Sequence, residues 1–195
     1  MIDNVLKILE SKLNDPINGL KDDDGEGNIA IVNNLAKHDD EDFTNLKNKV
    51  VITLLTVEEE STMKNTPRYN RIKEQNQPIR YELESAPAYL NLYVMIAANR
   101  DAYDKSLANI SKVIEIFQTN NVLKYNDPSP EKSFAFRIEL HSIPFEQLSY
   151  VWGLLGGKVM PFAFYKISVI KIAAATDPED VELIDVVNIK SFKVD

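Results

Sequence analysis

Glu58, Glu59 and Glu60 are, by type, the residues of this chain most suited to proton chemistry, because three adjacent carboxyl groups close a run of β-branched residues. One of them could serve as a general acid or base only if a partner moved its pKa toward neutrality. The chain offers two histidines, His38 and His141, and neither has a second ligand at metal-binding spacing. His141 falls where a strand meets a helix, beside Ser142, which favours a local hydrogen-bonding role over that of a base. No Gly-x-Ser-x-Gly signature is present. Zero cysteines exclude thiolate catalysis, disulfides and Cys-based zinc sites. The sequence therefore supplies no catalytic, cofactor-binding or metal-binding residue. Solvation of a strand end, or an ion pair with a neighbouring subunit, explains the three glutamates more simply.

Two other segments imitate ligand loops. Gly153-Leu-Leu-Gly-Gly-Lys has the look of a phosphate loop, but that spacing requires glycine where Trp152 stands and Ser or Thr where Val159 stands. A helix stop ahead of a strand accounts for Gly156 and Gly157. Asp22-Asp-Asp-Gly-Glu resembles the middle of a calcium loop with Gly25 as its sixth position, yet the same register places Leu20 first and Ile31 twelfth, where carboxylates are needed. It reads as a solvated turn, and so does Asp39-Asp40-Glu41-Asp42.

The elements that carry these residues follow from periodicity. Ile2, Val5, Leu6, Leu9, Leu13 and Ile17 share one face of an amphipathic helix over residues 2–18, ending near Pro16 and Gly19. Ile29–Val32 reads as a short strand, and Val50–Val57 as a strand buried for most of its length. Met63–Ala86 shows no sustained period and reads as a long exposed connection, with a hairpin around Arg80–Leu83 as the alternative. Such a connection is a first candidate for an assembly contact, with Arg68 and Arg71 as its candidate interface residues.

The clearest transition lies at Ala88–Phe117. Leu90, Leu92, Val94 and Ile96 alternate at period two, which seals Leu90 and Leu92 beneath a helix and puts Tyr89 and Tyr93 on the opposite face, where either a covering helix or a subunit interface would bury them, so that both are candidate interface residues. Tyr103, Leu107, Ile110, Ile114 and Phe117 then recur at helical spacing, giving a core-facing helix. Asn126-Asp-Pro-Ser-Pro makes a turn before the strand Phe134, Phe136, Ile138, Leu140. Ser142 as N-cap and Pro144 in the first turn launch a helix through Phe145, Leu148, Trp152 and Leu155, in which Trp152 and Leu155 are core. Phe162–Ile172 forms a final long strand. After a polar break at Asp177–Asp180, Val187, Ile189 and Phe192 give residues 186–193 strand character, an arm or edge strand able to contact a neighbour.

These elements predict an α+β fold: one domain over residues 1–173, a mixed or largely antiparallel sheet packed with about three helices, an extended loop, and a C-terminal arm over residues 174–195. At 195 residues, 44% hydrophobic and 27% charged, the composition suits one soluble domain with its own core. The longest charge-free apolar run, Ser85–Asn99, is too short to span a bilayer, and the acidic opening Met-Ile-Asp does not resemble a secretory signal, so cytoplasmic synthesis and no membrane insertion are expected. A net charge of −8 without a basic cluster argues against nucleic acid as a partner.

Five local patterns occur in one order: Val57-Glu58-Glu59-Glu60, Tyr89-Leu90-Asn91-Leu92-Tyr93, Val113-Ile114-Glu115-Ile116-Phe117-Gln118, Leu148-Ser-Tyr-Val-Trp152-Gly-Leu-Leu155-Gly-Gly157, and Phe164-Tyr165-Lys166-Ile167. Together they resemble the N-terminal domain family of the tail-cap, or terminator, proteins of contractile injection systems, similar to contractile phage tail terminators. The resemblance implies a non-enzymatic structural protein without cofactors. It would form a homo-oligomer, generally a hexameric ring, at the baseplate-distal end of the particle, and would end polymerisation of tube and sheath there. Its partners would be the tube and sheath proteins or, for a cap-adaptor, another cap protein; it would be cytoplasmic during assembly. Two alternatives stand beside it: a small-molecule enzyme, which needs Glu58–Glu60 and His141 to converge in one pocket, and an unrelated oligomeric scaffold.

Overall fold

The β-branched runs and helical stripes become three helices and nine strands in the computed structural model, which is described at residues 1–21, 28–36, 46–63, 69–72, 80–83, 88–128, 133–156, 159–172 and 179–181. In chain order they are α1 (Ile2–Leu13), β1 (Ala30–Val32), β2 (Lys49–Glu59), β3 (Tyr69–Ile72), β4 (Arg80–Leu83), β5 (Ala88–Asn99), α2 (Tyr103–Thr119), β6 (Val122–Tyr125), β7 (Phe134–Leu140), α3 (Phe145–Leu154), β8 (Phe162–Ile172) and β9 (Glu179–Val181). A six-stranded sheet has the order β1-β2-β5-β8-β7-β6. Only its β1–β2 pair is parallel, so the sheet is mixed and mostly antiparallel, as the irregular alternation of strands and helices predicts.

Period-two alternation on β5 builds both faces. Leu92, Val94 and Ile96 face α1 and α2 in one core with Val50, Ile52, Phe136, Ile138 and Ile167, and Val5, Leu9, Val113 and Phe117 close it from the helices. Met95 and Ala97 face the other way, in a second core with Val51, Phe164, Leu35, Leu46 and Trp152 of α3. Register shifts interrupt the ladder between Leu54 and Thr56 of β2, and between Leu90 and Leu92 of β5 against β8.

A second sheet has the order β3-β4-β9 and is antiparallel throughout. Its order repeats that of the central strands: β3 follows β2, β4 leads into β5, and β9 follows β8. The chain therefore passes out of the end of the central sheet three times and pairs with itself again, making a three-stranded arm.

Several expectations need correction. Helix α1 stops at Leu13 rather than near residues 16–19, because Pro16 bars the helical conformation at Asp15, whose carboxylate then accepts the backbone N–H groups of Ile17 and Asn18; Ile17 is exposed. On α2 the buried stripe is Ser106, Asn109, Ile110, Val113, Ile116 and Phe117, and Tyr103 and Leu107 face solvent, since the helix begins beyond the edge of its cover. The connection Met63–Ala86 contains β3 and β4, so the hairpin alternative at Arg80–Leu83 describes it better than an unstructured loop. Strand β6 goes unforeseen in the sequence; β9 lies where a polar break is expected, so Phe162–Ile172 is not the last strand. Pro144, not Ser142, is the N-cap of α3, without a side-chain cap bond, and Phe145 at its start is exposed. The helix does stop at its glycine: Gly156 follows the C-cap Leu155 with φ of 94°, a left-handed conformation in which a Cβ is disfavoured.

Candidate interaction surfaces

The polar residues on the second face of the sheet collect where α3 does not cover it. Strand register sets Glu58 opposite Asn91 and Tyr93 opposite Lys166, and Lys166 opposite Glu139 of β7. The result is a strip running across β2, β5, β8 and β7. Within it Asn91 Nδ2 donates to Glu60 Oε2 at 2.7 Å, and Thr62 Oγ1 donates to Glu60 Oε1 at 2.7 Å. Lys166 Nζ stands 3.9 Å from Glu60 Oε2. The Asn91 amide, the Thr62 hydroxyl and backbone N–H, and the Lys166 charge hold the Glu60 carboxyl down to about 2, so it is ionised at any neutral pH.

Tyr93 is half-buried, and its hydroxyl bonds to the Glu58 carboxylate; burial first, and then that bond and the nearby negative charges, raise its pKa. The Tyr93 ring meets His141 edge-on with centroids 5.1 Å apart. Glu58, Glu60, Tyr93 and His141 thus come together, as the enzyme alternative requires of its acidic and imidazole groups. They do so on the sheet face, and the cleft formed by described residues at the C-terminal ends of α1 and α2, lined by Lys12, Asn18, Lys112, Glu115, Thr119 and Asn120, shares no residue with them. Among the described residues no group of three or more His, Asp or Glu could hold a metal ion.

The remaining sequence candidates disperse. Glu59 is exposed and pairs with Leu90, on the opposite sheet face from Glu58 and Glu60. Arg71 lies on β3, and Tyr89 is half-buried at the start of β5. Arg68, Val187, Ile189 and Phe192 lie outside the described residues. Of the residues expected in the core, Leu92, Phe117 and Trp152 are buried, whereas Leu90, Ile114 and Leu155 are partly buried and pack against its margins. Leu90 is therefore not sealed beneath a helix, because it sits beside the register shift at the end of the covered region.

Sequence reasoning passed over two features. Asn91 is one, although a polar residue inside the alternating strand Leu90-Asn91-Leu92 was the available signal. The other is the outer face of α3, where Phe145, Tyr150 and Leu154 are 87%, 75% and 84% exposed and Val159 follows at 70%. The signal there was a helix apolar on all sides, with Leu148, Val151 and Trp152 on its inner face and Tyr150 and Leu154 on the other.

The family described as Pvc16 N-terminal domain matches the chain over residues 4–184. The fold is similar to a PVC sheath/tube terminator, solved in the extended state of an extracellular contractile injection system, with a TM-score of 0.60, 14% identity, and cover of 100% of this chain and 65% of that one. It is also similar to the anti-feeding prophage cap, described as the AFP tube terminating cap, with a TM-score of 0.57, 11% identity, and cover of 97% of this chain and 60% of that one. The chain thus spans less than two thirds of the length of either. A search of curated proteins finds no match.

Proposed function

Because the chain belongs to the Pvc16 N-terminal domain family, we propose that it is a structural subunit of the sheath/tube terminator, or cap, of a contractile injection system. It works without catalysis: copies assemble in the cytoplasm into a hexameric ring at the baseplate-distal end of the particle, and the ring ends growth of tube and sheath. The observation that carries this reading is the match of the entire chain, at a TM-score of 0.60, to a protein described as a sheath/tube terminator. Two rigid cores on a shared sheet suit a ring wedge, and no described helix is long and apolar enough to cross a membrane.

Contacts with tube, sheath or a second cap protein would come from the C-terminal segment and from the charged strand ends. Residues 186–193 form the strand-competent part of the segment 174–195 and add to an edge of a neighbour, where backbone pairing supplies affinity and Glu58, Glu60 and Arg71 set register by charge.

Electron microscopy of the purified protein, and of particles made without it, tests the proposal. Sixfold rings are expected, with particles of uncontrolled length or unstable ends when the protein is missing. A protein that stays monomeric, together with normal particles in its absence, would overturn it. Deletion of residues 186–193 should leave the core folded and impair capping; unchanged capping would remove that segment from the mechanism.

A further inference from the structure

Strand β2 is 11 residues long, and β1 pairs with it only at Val50–Ile52. Asn33 N–H adds one bond to the Ile52 carbonyl at 3.1 Å, and Thr53 Oγ1 ties the departing chain by donating to the Asn33 carbonyl at 2.8 Å. Beyond Thr53 the sheet order gives β2 no further neighbour on that side. Leu54–Glu59 is therefore a sheet edge as long as an average strand of about 5–6 residues. Thr56–Glu59 are exposed, Val57 at 41%.

Hydrogen-bond direction sets what this edge offers. Val50 N–H donates to the Ile29 carbonyl at 3.0 Å and the Ile52 carbonyl accepts from Asn33, so Val50, Ile52 and Leu54 turn their backbone groups toward the β1 side. Leu55 is the extra residue of the register shift, and past it the alternation reverses. Glu60 N–H donates to the Tyr89 carbonyl of β5, so Val57 and Glu59 turn their backbone groups outward. At Leu54 and Val57 no described residue takes up those outward donors and acceptors. An edge of this kind is a template for another strand.

Charge selects the occupant. Glu58, Glu59 and Glu60 close the edge, and two such edges brought together would set glutamate against glutamate, which disfavours pairing of the edge with its own copy. The strand that fits is apolar and basic. Outside the described strands, Val186-Val-Asn-Ile-Lys190-Ser-Phe192-Lys193 combines β-branched and aromatic residues with two lysines and no acid. Residues 182–195 follow β9 and, if extended, would span about 45 Å, enough to cross to an adjacent molecule.

We infer that residues 186–193 of a second copy of this chain add to the Leu54–Glu59 edge of β2 as a further strand of the central sheet. Antiparallel pairing with Phe192 beside Val57 sets Lys190 beside Glu59 and Lys193 diagonal to Glu58. Phe192 then covers the side of β2 on which Val57 is exposed and Leu54 packs at the margin of the helix-side core. Donor segment and acceptor edge are different surfaces, so the contact is head-to-tail, the arrangement that closes into a ring. The inference rests on the ring reading above and names the edge that receives the segment.

Because the chain contains no cysteine, introduced thiols report the contact directly. Val57→Cys and Phe192→Cys are made in separate full-length chains, mixed, and treated with a short bifunctional maleimide. A covalent dimer is expected in the mixture and not in either chain alone, with the peptides around positions 57 and 192 joined in it. Thr56→Cys probes the same edge should Val57→Cys fail to fold, as judged by circular dichroism. Adding Lys190→Glu and Lys193→Glu to the Phe192→Cys chain should lower the dimer yield about tenfold, and adding Glu58→Lys and Glu59→Lys to its partner should restore it. A folded mixture with no dimer overturns the inference. So does a chain carrying both cysteines that cross-links only within itself, because the segment would then close its own edge. If the unmodified protein still forms rings by microscopy, only the choice of edge is wrong; if it forms none, the ring reading falls as well.

Discussion

The Asn91 amide donates to the Glu60 carboxylate at 2.7 Å, linking the residue just past β2 to the first part of β5, at the end of the central sheet from which the chain leads into the three-stranded sheet. Asn91 is 4% exposed, so its side chain is tolerated there because Glu60 accepts from it. Glu60 N–H also donates to the Tyr89 carbonyl at 2.7 Å, continuing the ladder one residue past the strand. The pair fixes the register from which the arm departs.

A dependence on acid follows. The ordinary pKa of the Glu60 carboxyl is 4.5, and the fold holds it at about 2. A carboxyl with a lowered pKa in the folded state adds stability above its unfolded pKa and loses it as pH falls toward the folded value. The melting temperature of the wild type should therefore exceed that of Glu60→Gln at pH 7, and the gap should close between pH about 4.5 and about 2. A constant gap over that range would show that the carboxylate charge adds nothing.

Periodicity made the body of the fold legible: the strand from Ala88, the helix after it and the strand Phe162–Ile172 carry long, regular apolar patterns. What it could not set was which part of each pattern finds a partner. Tyr103 and Leu107 continue the stripe of α2 but extend past the sheet, and Ile17 continues the stripe of α1 but follows Pro16. The short strands β3, β4, β6 and β9 have three or four residues each, too few for alternation to stand out, and owe their existence to pairing across the sequence. The glutamates were visible as a cluster, yet their division between the two sheet faces depends on a register shift in β2 that leaves no mark in composition.

Asn14 should prove more important than its type suggests. Its side chain accepts from the Ala30 N–H at 2.9 Å and donates to the Ala30 carbonyl at 2.8 Å, closing the free edge of β1 as a neighbouring strand would. Ala30 is 1% exposed, so Asn14→Ala would leave a buried donor and acceptor unpaired and cost about 1–3 kcal/mol for each group that water cannot reach. Urea denaturation should show a lower midpoint with an unchanged slope; a midpoint equal to the wild type would mean that water replaces the amide freely.

Tyr165 offers the opposite change. It is 2% exposed, packs edge-on against Phe117 with centroids 5.3 Å apart, and its hydroxyl has no hydrogen-bond partner among the described residues. Tyr165→Phe removes that hydroxyl and should stabilise the fold by about 1–3 kcal/mol. Burial also raises the Tyr165 pKa above its ordinary 10.0, so the folded state resists ionisation that the unfolded state undergoes. Stability contributed by the neutral tyrosine is lost as pH rises past 10.0, and the Phe variant should lose less of it. Denaturation at pH 8 and pH 11 measures both effects, and a destabilised Phe variant would indicate a partner for the hydroxyl.

Two glycines should respond in opposite senses to the same added methyl group. A Cβ on Gly19 would come within 2.5 Å of Asp15 N, Asp15 O and Leu13 O, all backbone atoms of the turn that ends α1. That turn is tied by Gly19 N–H to the Asp15 carbonyl at 2.8 Å and by Leu20 N–H to the Leu13 carbonyl at 2.7 Å, so it cannot open without losing both bonds. Gly19→Ala should cost about 1–3 kcal/mol, and more if Leu20 leaves the core with the turn. At Gly153, inside α3, a Cβ meets nothing within 4 Å, and Gly153→Ala should gain about 0.5–1 kcal/mol from the lower backbone entropy of the unfolded chain. Melting temperatures moving apart in these directions would confirm that the turn after Leu13 is rigid and that the outer surface of α3 is open in the isolated chain. A destabilised Gly153→Ala would instead place a neighbour against that surface.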